Sequence, residues 1–173
     1  MKIGYTMAEG RGGVDLLLAG LADRLQARGL RTCGTVQINT ECEGRGPCDM
    51  DVRVLPDGPV IRISQSLGTG ARGCRLDPSA LESAVAQVEA RLAQGADVLI
   101  INKFGRHEAE GHGFRELIAD ALAREIPILV GVNRLNESAF QEFAAGLALR
   151  LEPDADALAG WIEGGLPQSS DAA

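Results

Sequence analysis

Two short runs constrain this chain more than anything else in it: Val98-Leu99-Ile100-Ile101 and the segment Pro127-Ile128-Leu129-Val130-Gly131-Val132. Neither alternates polar with apolar side chains, so a strand built from either must be covered on both faces. Such strands belong to parallel sheets with helices packed on each side. The rest of the chain supplies those helices. Residues 2–6 are short and β-prone, the glycine cluster Glu9-Gly10-Arg11-Gly12-Gly13 follows at once, and Leu16, Leu17, Leu21 and Leu25 then recur at helical spacing up to Gly29. Residues 32–39 read as a second strand. Beyond an irregular stretch from residue 40, the segments 52–55 and 60–64 flank Pro56-Asp57-Gly58-Pro59 like the arms of a hairpin.

Residues 68–75 form a second glycine-rich loop, ending at Asp77-Pro78, where Asp77 can cap a helix with proline in its first turn. That helix carries Leu81, Val85, Val88 and Leu92 on one face. Further helix faces are expected at Phe114, Leu117, Ile118, Ala121 and Leu122, at Phe140, Phe143 and Leu147, and at Leu158, Trp161 and Ile162, with a short strand at 149–151. At roughly 150 residues per domain, 173 residues make one unit. The expected architecture is a single three-layer α/β/α domain over residues 1–165, with a mostly parallel sheet, an inserted β-hairpin and a flexible tail at 166–173.

Charge and cysteine content narrow the function. Seventeen Lys and Arg against 24 Asp and Glu leave a formal net charge of −7, which argues against a nucleic-acid or anionic-membrane binder, since both need a basic face. No apolar run approaches the roughly 18 residues that span a bilayer, and Met1-Lys2-Ile3-Gly4 leads straight into a strand, so membrane insertion is not expected and a cytoplasmic location is. Cys33, Cys42, Cys48 and Cys74 form no Cys-x-x-Cys pair, and free thiols are the expected state. Cys33 lies in an apolar strand and reads as a buried small hydrophobe. Cys48 and Cys74 are candidates for a soft-metal or redox pair, the alternative being ordinary free cysteines. His107 and His112 flank an acidic turn and read either as additions to a metal site or as surface residues.

In an open α/β sheet the ligand crevice lies beyond the carboxyl ends of the strands. Three segments converge there: the 10–13 loop, the 68–75 loop and the residues after Ile101. A glycine loop between a first strand and a first helix presents backbone N–H groups to an anion, helped by the positive end of the helix. Against the phosphate-loop pattern Gly-x-x-x-x-Gly-Lys-Ser/Thr, the best register here is Ala8-Glu9-Gly10-Arg11-Gly12-Gly13-Val14-Asp15. Val14 stands where the phosphate-reaching lysine belongs, and Asp15 where the magnesium-ligating hydroxyl belongs. Arg11, Arg72, Arg75, Lys103 and Arg106 crowd the three converging segments, a local cationic pocket in an acidic chain. The competing reading pairs those cations with Glu9, Asp77, Glu108 and Glu110.

The run Asn102-Lys103-Phe104-Gly105-Arg106-His107-Glu108 resembles the Asp-Glu-Ile-Gly-x-Met-Glu segment of the small THEP-type nucleoside-triphosphatases. By that resemblance Asn102 stands at the magnesium-associated aspartate and Lys103 at the catalytic glutamate, while Gly105 and Glu108 match unchanged. A closer resemblance covers nearly the whole chain. The strings Cys48-Asp49-Met50-Asp51, Gly70-Ala71-Arg72-Gly73-Cys74-Arg75-Leu76-Asp77 and Asn102-Lys103-Phe104-Gly105 through Glu108-Ala109-Glu110-Gly111 resemble the bacterial family of unknown function designated DUF2478. That resemblance implies a P-loop-like fold and members encoded beside molybdate-transport components.

The resulting expectation is a nucleotide- or phosphate-binding protein with degenerate Walker A and B motifs, an accessory factor in molybdenum metabolism. A molybdate or tungstate binder and a non-standard nucleoside-triphosphatase stay open beside it, as does the question whether the chain is an enzyme. The ligand is a small anion: a nucleotide with or without magnesium, or molybdate. Its candidate contacts are Gly10, Arg11, Gly12, Gly13 and Asp15 from the first loop, Arg72 and Arg75 from the second, and Asn102, Lys103 and Glu108 from the third. A second copy of the chain or a molybdenum-pathway protein is the candidate partner.

Overall fold

The computed structural model describes residues 2–8, 12–39, 49–65 and 75–166. Strand β1 (Ile3–Thr6) leads into helix α1 (Gly13–Ala27), followed by β2 (Thr32–Asn39), β3 (Met50–Leu55), β4 (Val60–Arg62) and α2 (Pro78–Leu92). Then come β5 (Val98–Phe104), α3 (Arg106–Ala109), α4 (Arg115–Ala123), β6 (Ile128–Val132), α5 (Glu137–Phe143), β7 (Leu149–Leu151) and α6 (Ala155–Glu163). The seven strands form one sheet in the order β4-β3-β2-β5-β6-β1-β7. Strands β2, β5, β6, β1 and β7 pair in parallel, and the hairpin β3–β4 adds antiparallel to the outer side of β2.

The two apolar runs behave as their composition requires. Along β5, Val98 and Ile100 join the core beneath α1 and α6, while Leu99 and Ile101 join the core beneath α2, α4 and α5. Strand β5 is the middle strand of the seven. Helix α1 buries Leu18, Leu21, Ala22 and Leu25, and each such leucine contributes roughly 1.5–3 kcal/mol when fully removed from water. Leu16 departs from the expected face: it sits about 200° round the helix axis from Leu18 and is 70% exposed. Helix α2 starts as its sequence indicates, with Pro78 in the first turn and the Asp77 carboxylate accepting from the Ala80 N–H at 3.2 Å, a cap contributing about 1 kcal/mol.

Helix α5 is shorter than its apolar spacing implies. Ala145 and Gly146 adopt positive φ (50° and 72°), which ends the helix and turns Leu147 outward to 64% exposure. Strand β5, conversely, runs to Phe104, so Asn102 and Lys103 lie within the strand, just before its last residue, rather than in a following loop. At Gly34 the β2 backbone has φ +115°, and a Cβ there would lie 1.8 Å from the Ile100 carbonyl oxygen; only glycine permits this pairing with β5. No helix among the described residues is long and apolar enough to cross a membrane.

Candidate functional site

Connections leave the sheet on opposite faces at one point. From β1 the chain crosses to α1, which packs with α6, whereas from neighbouring β6 it crosses to α5 on the other face. A doubly wound sheet opens a crevice at such a switch point. Here the crevice is a cleft of about 840 Å³. Its floor is the amino end of α1, where Gly12 takes the left-handed conformation (φ 78°) and Gly13 begins the helix. The orphan N–H groups of a helix's first turn, with the positive end of its dipole, make such a floor favourable to an anion.

One buried contact organises the cleft. Asn102, only 4% exposed, accepts a hydrogen bond from the Gln37 backbone N–H at 2.9 Å through Oδ1 and donates through Nδ2 to the Asp15 carboxylate at 2.8 Å. The main-chain N–H can only donate and the carboxylate only accept, so the amide orientation is determined by its partners. An ionised aspartate at position 102 could not donate to Asp15. By the resemblance drawn from the sequence these two positions are the metal-associated ones, and here the carboxylate sits on α1 and the donor on β5.

Cations rim the cleft. Lys103 projects from the end of β5 and Arg134 from the β6–α5 loop, both exposed and without an ion-pair partner among the described residues. Arg150 on β7 lies 3.5 Å from the Glu137 carboxylate, which also accepts from the Tyr5 hydroxyl at 2.9 Å. Burial, ahead of its carboxylate partner, raises the Tyr5 pKa. Among the described residues these three cations face two acids in the cleft, Asp15 and Glu137, each already hydrogen-bonded.

The first and third segments expected at the site therefore meet: Gly12, Asp15, Asn102 and Lys103 line one cleft, with Gly13 beneath it. Arg75 lies in a neighbouring cavity that shares Lys103 with the cleft, and its guanidinium is 3.2 Å from Asp49. Glu108 borders that second cavity too, but it is 3% exposed, and its two carboxylate oxygens accept from the backbone N–H groups of Gly105 (2.9 Å) and Phe114 (3.5 Å). Those bonds hold the turn around α3 in shape. Arg106 pairs with Glu110 at 2.6 Å.

Gly10, Arg11, Arg72, Cys48 and Cys74 lie outside the described residues. Among those described, no group of three or more His, Cys, Asp or Glu side chains is arranged to hold a metal ion. His107 Nε2 lies 3.0 Å from Glu82, whose carboxylate also accepts the Gly113 N–H at 2.9 Å. Burial raises the Glu82 pKa, but these two hydrogen bonds outweigh it and hold the group below the ordinary range. Cys33 is buried, and burial pushes its thiol up to about 11.

Sequence reasoning did not reach Arg134, Arg150 or Gly131. Gly131 carries a usable signal, a glycine inside a buried strand. A Cβ there would meet the Asn102 carbonyl oxygen at 2.1 Å and Val14 Cγ1 at 2.8 Å, so its bareness lets β5, β6 and α1 close around the cleft.

This arrangement of sheet, loop and helix is a P-loop nucleoside-triphosphatase-like fold. The solution structure of a human cancer-related nucleoside triphosphatase superposes with a TM-score of 0.60, covering 87% of each chain at 18% identity. The chain belongs to the protein family of unknown function designated DUF2478, which it matches over residues 3–161. It is also 36% identical over 150 residues, 86% of its length, to the molybdenum import ATP-binding protein ModC 2 of Bradyrhizobium diazoefficiens. The match spans 16% of that protein's length.

Proposed function

We propose that this chain is a nucleotide-binding protein of P-loop descent that holds its ligand without metal-dependent hydrolysis and acts as an accessory factor in molybdenum metabolism. The observation that carries the reading is the cleft at the amino end of α1, bordered by Lys103 and Arg134, which have no ion-pair partner among the described residues. Its volume of about 840 Å³ falls in the range of sites for drug-sized organic ligands and exceeds what a bare tetrahedral oxyanion needs. Phosphates rest on the helix end, with Lys103 contributing from β5 the charge that Val14 does not.

Hydrolysis requires charge neutralisation by a metal and a group that positions water. Asp15 is engaged by Asn102, Glu137 by Tyr5 and Arg150, and position 103 carries an ammonium where a water-positioning carboxylate would stand. The molybdenum connection rests on the relative from Bradyrhizobium. A molybdate or tungstate binder is the second reading, favoured by the replacement of the lysine and hydroxyl of the phosphate loop by Val14 and Asp15.

Thermal unfolding with ATP, ADP, molybdate, tungstate or sulfate, each with magnesium and with EDTA, tests both. A ligand at 100 times its dissociation constant adds about 2.7 kcal/mol, which for a chain of this size raises Tm by roughly 5–10 °C. Stabilisation by nucleotide in EDTA supports the first reading; stabilisation by molybdate and tungstate alone replaces it with the second.

A further inference from the structure

The neighbouring cavity, about 650 Å³, lies across β5 from the cleft, between the β3–β4 hairpin, the start of α2 and the turn around α3. We propose that it is a second ligand site, shaped for a small organic anion with an apolar body, whose acidic group binds Lys103. This goes beyond the nucleotide reading and does not depend on it.

The floor is apolar. Val52, Ile63, Leu81 and Phe114, all buried residues, line it, with Met50 and Leu76 half-buried beside them. These side chains come from the hairpin, from α2 and from the segment that Glu108 ties down, so the walls are held by secondary structure on three sides. An inorganic oxyanion has nothing to gain from such a surface, since an ion resting on it would lose hydration without recovering hydrogen bonds. A hydrocarbon or aromatic body does gain by burial there.

Charge selects the other end of the ligand. Arg75, Arg106 and Lys103 face two acids, Glu108 and Glu110. Glu108 is committed to main-chain N–H groups and Glu110 to Arg106. Arg75 is held by Asp49, which leaves Lys103 as the cation without an acidic partner among the described residues. Polar atoms for orientation come from Thr35 and Gln37 at the β2 side and Asn136 at the opposite side. An apolar pocket with a few convergent polar groups and one uncompensated charge is the ordinary form of a small-molecule site. Asn102, Lys103 and Asn133 border both this cavity and the cleft, so the two sites adjoin at the end of β5.

The test uses the full chain with methyl-labelled Ile, Leu and Val, titrated with 2-naphthoate and, separately, with neutral 2-naphthalenemethanol. The proposal expects saturable shifts of the Val52, Ile63 and Leu81 methyl resonances, with the alcohol binding at least tenfold more weakly than the carboxylate. Replacing Lys103→Gln should weaken naphthoate about tenfold or more, the effect of losing one charge-assisted contact, and leave the alcohol unaffected. Met50→Trp should fill the cavity and abolish naphthoate shifts while ATP still moves the Gly12 and Gly13 amides. Unmoved methyls at 5 mM naphthoate would overturn the site. Shifts confined to Gly12–Asp15 would overturn it too, and equal affinity of acid and alcohol for the wild-type chain would overturn its selectivity for anions. Failure of ATP to shift the glycine amides, by contrast, touches only the nucleotide reading.

Discussion

Replacing Asn102→Asp tests the Asn102–Asp15 pair at the centre of the cleft. The new carboxylate can still accept the Gln37 N–H, so the perturbation falls on one contact, the 2.8 Å bond to Asp15. Two penalties follow. A hydrogen bond to a charged acceptor contributes about 1.5–3 kcal/mol and is lost. Two ionised carboxylates about 4 Å apart repel by roughly 4 kcal/mol at an effective dielectric of 20, so at lower pH one of them keeps its proton instead. Together these cost about 5.5–7 kcal/mol at pH 8, a fall in Tm of roughly 11–28 °C.

The pH dependence has a definite sign. The shared proton raises one carboxyl pKa in the folded state above the unfolded value of about 3.9. The folded variant then holds a proton more tightly than the unfolded chain, so the repulsion is absent below about pH 4 and grows as pH rises through the folded pKa. Thermal melts followed by circular dichroism at pH 5 and pH 8 should show the variant's deficit widening with pH. Millimolar magnesium should narrow it at pH 8 by bridging the two carboxylates, with no such gain in the wild-type protein. The double variant Asp15→Thr/Asn102→Asp should recover most of the loss, because the threonine hydroxyl can donate where the amide did. A deficit below about 2 °C, or one equal at both pH values, would refute the reasoning.

Gly131→Ala should weaken or abolish anion binding and lower stability by more than about 3 kcal/mol, because the added methyl meets the Asn102 carbonyl at 2.1 Å; isothermal titration and denaturant unfolding read the two effects. Cys33, with its thiol raised to about 11 by burial, should stay unmodified by iodoacetamide at pH 8 in the folded chain and react on unfolding, as peptide mass spectrometry of that cysteine would show. Asp97, held below the ordinary carboxylate range chiefly by the Arg31 guanidinium, contributes stability that is present above about pH 4 and lost as pH falls through its folded pKa. Because the pair is partly exposed, Asp97→Asn should cost no more than about 1 kcal/mol at pH 7, a cost that shrinks as pH falls below about 4, measured by urea unfolding at pH 7 and pH 3.

What could be read before any coordinates were known follows from the range of the forces involved. Strand β2 falls at residues 32–39 as its pattern indicates, and α2 begins at the Asp77-Pro78 cap, because these are local matters of propensity and capping. The cleft's glycine floor was legible for the same reason, since the strand, the glycines and the leucines are contiguous. Helix α5 ended early because Ala145 and Gly146 took left-handed backbone, which apolar spacing does not register. The four-residue helix α3 is too short to show a period. Asp49 reached Arg75 only through the bridge that sets Leu76 against Ser64 beside the start of β3, and Arg134 and Arg150 reached the cleft only through the sheet order that places β6 and β7 on either side of β1. The Asn102–Asp15 bond spans 87 positions. In the sequence Asn102 and Asp15 are two separate departures from the phosphate-loop and Walker B patterns, and only the fold brings them into contact.

If the amino end of α1 holds a phosphate without a metal, the amides of its first turn report the ligand directly. A titration of the 15N-labelled chain with ATP in EDTA, following the amide resonances of Gly12, Gly13 and Val14, tests it most directly. Saturable shifts of these amides are expected, weakened about tenfold or more by Lys103→Ala, with the nucleotide recovered unhydrolysed. Amides that stay in place at millimolar ATP until magnesium is added, followed by turnover, would contradict it.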